Sequence, residues 1–207
     1  MTIFFFCTSN LKPLLLQACP LLQAIILLGL SYSNKAQPEA SLNFDRRMKQ
    51  LKTGHATVLA IWAGLNIITG GILMLIAAED QLSYFSAMNS SWGVVNLGVA
   101  WFLYSHHNEV FNQPQTLLQQ MYHQRHAEKM ILFSIGLDLA FIASGFALQL
   151  LGHSLGISYP VLCKGFGTSV ILQGAFLLVQ DTFFYQLHLK NRKKVYPLWQ
   201  QQLVEGR

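Results

Sequence analysis

An apolar run long enough to cross a bilayer contains one carboxylate in its interior, and this feature restricts the chain more than any other. The run is Glu128–Gly152, about 25 residues, and the carboxylate is Asp138. On a helical wheel, polar and small residues gather on one side and large apolar residues on the other. The polar side consists of Ser134, Asp138, Phe141, Gly145, Gln149 and Gly152. Because a charge facing lipid is costly, this side is predicted to face protein.

Composition identifies the class of protein to which this run belongs. Hydrophobic residues make up 52% of the chain and charged residues 11%, which is far from the balance of a soluble domain. The sequence therefore predicts an all-α, multi-pass transmembrane bundle, with one membrane domain over residues 55–187. Its four core helices are predicted at about 55–78, 89–105, 129–152 and 164–187.

The segments outside this domain set the predicted orientation. Residues 37–54 form a basic amphipathic segment, which indicates either a short helix on the membrane surface or a solvated linker. This segment and the tail 188–207 are rich in Lys and Arg, which predicts a cytoplasmic location for both and an inner-membrane protein. The formal charge of +5 is explained by these segments, which favour contacts with anionic lipid over nucleic acid. The hydrophobic segment 1–36 resembles a signal peptide in composition, but an uncleaved N-terminal helix fits the charge bias better. Both interpretations remain open.

The two halves of the membrane domain resemble each other, as a tandem pair of two-helix repeats would. The sequence Gly64–Ile67 aligns with Gly136–Leu139, and Asn96 aligns with Gln173. Two helices in each repeat predict parallel repeats, related by an axis along the membrane normal. This alignment makes Asn66 equivalent to Asp138.

One polar side chain stands near the middle of each predicted span, and together these form the candidate site: Asn66, Asn96, Asp138 and Gln173. Further polar residues on the same faces are Ser134, Gln149, Ser169 and Gln180. No span carries a central Lys or Arg, so the amides are the predicted partners of Asp138. Such side chains commonly bond across helices and fix their register, which favours a non-enzymatic structural or interaction protein. The alternative is a carrier of protons, cations or small polar solutes that uses Asp138.

Histidine provides a further alternative, a metal- or haem-binding membrane protein. His123 and His126 are spaced to lie on one face of a helix, on the predicted cytoplasmic side. The sequence contains no glycine-rich phosphate loop, no HExxH and no GxSxG, so no enzyme activity and no specific cofactor are predicted. A homo-oligomer is compatible with the sequence.

Two short stretches carry a likeness to a known group of proteins. They are Leu59–Asn66 (LAIWAGLN) and Met88–Leu97 (MNSSWGVVNL). Over about residues 43–187 the chain resembles a family of uncharacterised small bacterial membrane proteins with four core helices. The resemblance implies a fold and a membrane location, and it implies no chemistry.

Overall fold

The described part of the chain is entirely helical in its regular secondary structure. The computed structural model describes residues 44–77, 80–110, 117–153 and 159–205. Four helices occupy these ranges: α1, Phe44–Ile76; α2, Gln81–Val110; α3, Leu117–Leu151; and α4, Pro160–Glu205. The predicted all-α fold is confirmed. The N-terminal segment 1–36, and with it the choice between signal peptide and helix, lies outside the described residues.

Three of these helices are long and apolar enough to cross a membrane. The stretches that qualify among the described residues are Phe44–Ile76, Leu118–Leu151 and Pro160–Pro197. Helix α2 has sufficient length, at 30 residues, but does not qualify by composition. It contains Asn89, Asn96 and several serines, which lower its mean hydropathy. The sequence predicted four spans, and this criterion supports a membrane protein with three of them.

The helices continue beyond the predicted spans. The predicted surface helix before the first span is not separate, because α1 runs from Phe44 into the span without a break. Helix α4 continues for 46 residues, past the predicted end of its span. The start of α2 is fixed by a local capping interaction. Asp80 Oδ1 accepts hydrogen bonds from the backbone N–H groups of Leu82 (2.9 Å) and Ser83 (3.1 Å), which caps the start of α2.

Consecutive helices form two antiparallel hairpins, α1–α2 and α3–α4, and in each hairpin a glycine allows close approach. A Cβ atom at Gly93 would lie 2.9 Å from the backbone O of Ala63 in α1. A Cβ atom at Gly174 would also lie 2.9 Å from a backbone O, that of Asp138 in α3. Small residues at such contacts are how helices pack closely in lipid, where the hydrophobic effect does not bring them together.

The same contact pattern recurs at a second pair of glycines. Gly70 in α1 packs against the backbone of Ser86, and Gly145 in α3 packs against the backbone of Gly167. Gly145 follows Gly70 by 75 residues, and Gly174 follows Gly93 by 81 residues. Equivalent contacts at these spacings support the resemblance between the two halves.

These spacings give a different alignment from the one that the sequence suggested. In the packed hairpins Asp138 corresponds to Ala63, whose carbonyl makes the matching glycine contact, and not to Asn66. The spacing of 81 residues likewise removes the equivalence of Asn96 and Gln173. Sequence similarity alone placed these polar residues together because they are the few polar residues in apolar surroundings.

Helix α4 packs against each of the other three helices. The described side chains are sorted with polar groups inside and apolar groups outside. The buried polar residues include Asn66, Asn89, Asn96, Asp138, Ser169 and Gln173. Large exposed apolar residues include Ile68, Ile72, Val94, Val95, Phe133, Leu139 and Phe146. This sorting suits a protein whose outer surface meets lipid, and it confirms that the polar side of α3 faces protein.

Candidate functional site

Gln173 is the centre of a hydrogen-bonded network between α1, α2 and α4. Its Nε2 donates to Asn66 Oδ1 (2.7 Å) and to Asn89 Oδ1 (3.0 Å). Its Oε1 accepts from Trp62 Nε1 (2.8 Å) and from Asn96 Nδ2 (3.3 Å). A side-chain amide has two N–H donors and two lone pairs on its oxygen, so Gln173 makes every hydrogen bond available to it.

The network extends one step beyond Gln173. Ser169 Oγ donates to Asn89 Oδ1 at 2.6 Å, and Asn66 Nδ2 donates to the backbone O of Trp62 at 2.7 Å. The indole of Trp62 stacks on Phe176 of α4, with ring centroids 3.9 Å apart. We refer to this set as the amide cluster: Trp62, Asn66, Asn89, Asn96, Ser169 and Gln173. It joins three helices through buried groups.

Asp138 is not hydrogen-bonded to the amide cluster. The residue is 3% exposed, and its Oδ2 has no hydrogen-bond partner among the described residues. The sequence predicted that the amides would be its partners, and this was wrong. Their hydrogen bonds join α1, α2 and α4, whereas Asp138 is on α3.

A second carboxylate and a histidine lie on the side of Asp138 nearer the basic ends of the helices. Asp181 of α4 is within electrostatic range of Asp138. Asp181 Oδ1 is 2.9 Å from His55 Nε2 of α1, and the His55 ring stacks on Phe184 with centroids 4.6 Å apart. The partner of Asp181 is His55, because α1 and α4 run antiparallel and bring these two positions to the same level.

An unpaired donor also occurs on the neighbouring helix. The Nε1 atom of Trp92 in α2 is buried and has no hydrogen-bond partner among the described residues. The Trp92 ring packs edge-on against Phe141 of α3, with centroids 5.1 Å apart. Phe141 is three residues after Asp138, on the same side of α3. Asp138 and Trp92 therefore each carry one buried polar atom that has no hydrogen-bond partner among the described residues.

The secondary polar residues serve separate pairs of helices. Gln149 Nε2 donates to Thr168 Oγ1 at 3.0 Å, which joins α3 to α4. Gln180 Nε2 donates to the backbone O of His55 at 3.2 Å, which joins α4 to α1. Ser169 belongs to the amide cluster, and Ser134 is partly buried on α3. Three of the four therefore make contacts between helices.

The two histidines proposed as metal ligands both lie beside one tyrosine. The ring centroids of His123 and His126 are 5.7 and 5.8 Å from that of Tyr122. No group of three or more His, Cys, Asp or Glu side chains that could hold a metal ion occurs in the part of the chain that the structure describes. Among the described residues, no third metal-ligating side chain therefore joins His123 and His126.

A second polar network joins the extended ends of α3 and α4. Gln124 Nε2 donates to Glu128 Oε1 and to the backbone O of His188, both at 2.8 Å. Asn191 Nδ2 donates to Gln124 Oε1 at 3.2 Å. Arg192 Nη1 donates to Glu128 Oε2 at 2.6 Å. Sequence reasoning missed this cluster because it treated residues before 129 and after 187 as separate segments.

Comparison with known proteins shows that most of these residues lie in a region shared with one family. A family described as a family of unknown function (DUF6992) matches residues 58–182 of the chain. The match includes the whole amide cluster, Asp138 and Asp181. No curated protein and no solved structure matches the chain.

Proposed function

For a chain that belongs to this family of unknown function, we propose a non-enzymatic, multi-pass membrane protein whose helices are held in register by the amide cluster. The observation that carries this proposal is Gln173, which makes all four of its hydrogen bonds to protein groups. A side-chain amide whose N–H groups and oxygen lone pairs are all in use cannot form a further hydrogen bond to a solute. The cluster therefore suits a structural or interaction protein better than a solute-binding site.

The position of the cluster gives it structural value. Hydrogen bonds between helices in a membrane contribute about 0.6 to 2 kcal/mol each, and a partner lost there cannot be replaced by bulk water. Gln173 bonds to two residues of α1 and two of α2, so sliding α4 along either helix breaks several bonds at once. This geometry favours one register.

A coupling measurement tests the structural role. The free energy of unfolding in mixed micelles is measured for wild type, Asn66→Leu, Gln173→Leu and the double variant. If the cluster acts as a network, the double variant loses clearly less stability than the sum of the two single losses. Additive losses would contradict the network.

The proposal includes a topology in which all four helices cross the bilayer. Helix α2 is counted because Asn89 and Asn96 face the other helices, while its outward residues include Val94, Val95 and Trp101. The basic ends lie in the cytoplasm of a cell whose inner membrane holds the protein, and Asp80 lies outside. A cysteine at position 80 should react with an impermeant reagent added to intact cells, and one at position 193 should not. The reverse pattern would overturn the orientation.

A second candidate function, a proton or cation site at Asp138, is favoured by its unpaired Oδ2. The ionisable groups that the structure places around it are Asp181 on α4 and, through Asp181, His55 on α1. Two nearby acidic groups and one imidazole can exchange a proton or accept a cation without a Lys or Arg. This function uses ionisable side chains that do not belong to the amide cluster.

Flux measurements distinguish this second function from a structural one. In proteoliposomes the site predicts a pH-dependent proton or cation flux that is lost in a folded Asp138→Asn variant. Asp80→Asn is the control, because Asp80 is exposed and asparagine also caps a helix. Full retention of the flux in Asp138→Asn, or its absence from wild type, would rule out this function.

A further inference from the structure

A groove between α3 and α4 opens beside the second polar network, at the basic end of the bundle. Its volume is about 320 Å³. One wall is formed by residues of α3 and the other by residues of α4. The lining residues used below are Arg125, Lys129, Leu132, Tyr185, Arg192 and Tyr196.

The groove has an excess of positive charge. It contains three cationic side chains and one carboxylate, Glu128. Glu128 is occupied by Arg192, whose Nη1 lies 2.6 Å from its Oε2. Among the described residues, neither Arg125 nor Lys129 has an ion-pair partner. Two exposed cations are thus left on one face of α3, at positions i and i+4.

The groove also changes character along its length. On α3, the cations at 125 and 129 are followed one turn later by Leu132, which is exposed and belongs to the apolar run Met130–Phe133. On α4, Tyr185 lies toward the apolar part and Tyr196 toward the basic end. Tyrosine is typical of the boundary between acyl chains and headgroups. The groove therefore passes from a cationic end to an apolar end where such a boundary would fall.

From this geometry we propose that the α3–α4 groove binds one phospholipid with an anionic headgroup. Arg125 and Lys129 contact the phosphate, with Arg192 at the opposite wall, and an acyl chain lies along Leu132. Arginine and lysine both bind phosphate well, and basic pockets between helices on the cytoplasmic side are typical lipid headgroup sites. A free phosphate would use the cationic end but not the apolar end, so the groove is assigned to lipid.

Binding of defined lipids to the purified full chain tests the assignment. Native mass spectrometry in detergent, at low ionic strength, measures the affinity for dioleoylphosphatidylglycerol and for dioleoylphosphatidylcholine. Phosphatidylglycerol should bind at least tenfold more tightly. The same measurement is made for Arg125→Gln/Lys129→Gln and for Lys193→Gln/Lys194→Gln. The second pair removes the same charge from exposed positions of α4 that do not line the groove.

The two variants should differ strongly. Each cation near an anionic lipid contributes about 1 kcal/mol, so the groove variant should bind phosphatidylglycerol about thirtyfold more weakly. The control should change by less than about threefold. Equal losses in both variants would overturn the site in favour of diffuse attraction. Competition by inorganic phosphate as effective as that by the lipid would also overturn it, in favour of a free-ion site.

One further variant keeps the test decisive if the double change disturbs folding. Lys129→Gln alone alters one exposed side chain and should weaken phosphatidylglycerol binding about fivefold. Circular dichroism and elution volume report whether each variant is folded. A folded Lys129→Gln protein with wild-type affinity would contradict the proposal.

Discussion

Gln173 and Asp138 are both almost fully buried polar residues, yet they differ in their hydrogen bonds. Gln173 makes four side-chain hydrogen bonds to residues of α1 and α2. Asp138 has an oxygen with no hydrogen-bond partner among the described residues. Burial alone therefore does not identify a functional residue in this bundle. The state of the hydrogen bonds separates a residue that holds helices together from one that is available for another task.

The difference follows from the helices on which the two residues stand. Gln173 is on α4, which packs against each of the other helices, so its side chain can reach amides from two of them. Asp138 is on α3, whose main partner is α4, and there its own backbone O packs against Gly174. A site at Asp138 would thus rest mainly on the contact between α3 and α4, with His55 of α1 reached through Asp181, whereas the amide cluster joins α1, α2 and α4.

The largest effect is expected from removing the centre of the cluster. Gln173→Leu should lower the free energy of unfolding by about 3 kcal/mol, because four bonds are lost and their buried partners are left unsatisfied. Unfolding in mixed micelles measures this. The control, Gln180→Leu, removes one side-chain bond of 3.2 Å and should cost less than about 1 kcal/mol. Equal costs would remove the distinction between Gln173 and an ordinary buried amide.

A methyl group at the α3–α4 contact tests the side of α4 that meets Asp138. In Gly174→Ala the new Cβ would lie 2.9 Å from both Asp138 O and Ile142 Cγ1, so the helices must separate at a cost of about 2 kcal/mol. Gly136→Ala is the matched control in α3, since its Cβ would meet no atom within 4 Å. A tolerated Gly174→Ala change, by thermal unfolding in detergent, would show that the contact is looser than described.

A smaller loss is expected from removing one donor to Gln173 without removing the ring that carries it. Trp62→Phe deletes the 2.8 Å bond to Gln173 and keeps an aromatic ring against Phe176. The expected cost is about 1 kcal/mol. Trp101→Phe, at an exposed tryptophan of α2, should cost nothing measurable. A similar loss in both variants would indicate that ring size rather than the hydrogen bond matters.

The smallest effect on stability is expected at Asp138. Asp138→Asn should leave the free energy of unfolding unchanged or raise it by up to about 1 kcal/mol, because the change removes a buried ionisable group whose Oδ2 has no bond to lose. Chemical unfolding of both proteins under the same conditions measures the difference. A loss of more than about 1 kcal/mol would indicate that Asp138 has a bonding partner and, like Gln173, holds helices together.

Sequence reasoning found the members of the cluster that stand out in apolar surroundings. Asn66, Asn96 and Gln173 were each recognisable as a single amide in a predicted span, and their common location follows from the cost of exposing amides to lipid. Trp62 was not recognised, because an indole is also common in lipid-facing positions. Its bond to Gln173 depends on how α1 is rotated against α4, which the composition of neither helix reveals.

The pairs at the basic end were missed for separate reasons. His55 with Asp181, and Glu128 with Arg192, join residues that are 126 and 64 positions apart. His55 and Asp181 lie within two predicted spans, and their pairing depends on how α1 packs against α4. The pair Glu128–Arg192 depends on helices that continue beyond their apolar runs. A hydropathy pattern ends where the apolar residues end, whereas the backbone remains helical through residues such as Gln, Lys and Arg, which are good helix formers.

The place of Gln173 on the last helix has a consequence for biosynthesis. In the proposed four-span topology a ribosome makes α1 and α2 first, so Asn66, Asn89 and Asn96 enter the bilayer before the side chain that will bond to all three. Until α4 is inserted, these amides have no common partner in a medium that offers no water. A nascent chain that stops short of residue 173 therefore exposes amides without their common hydrogen-bond partner within the membrane. In the finished protein these amides are bonded to Gln173 and buried.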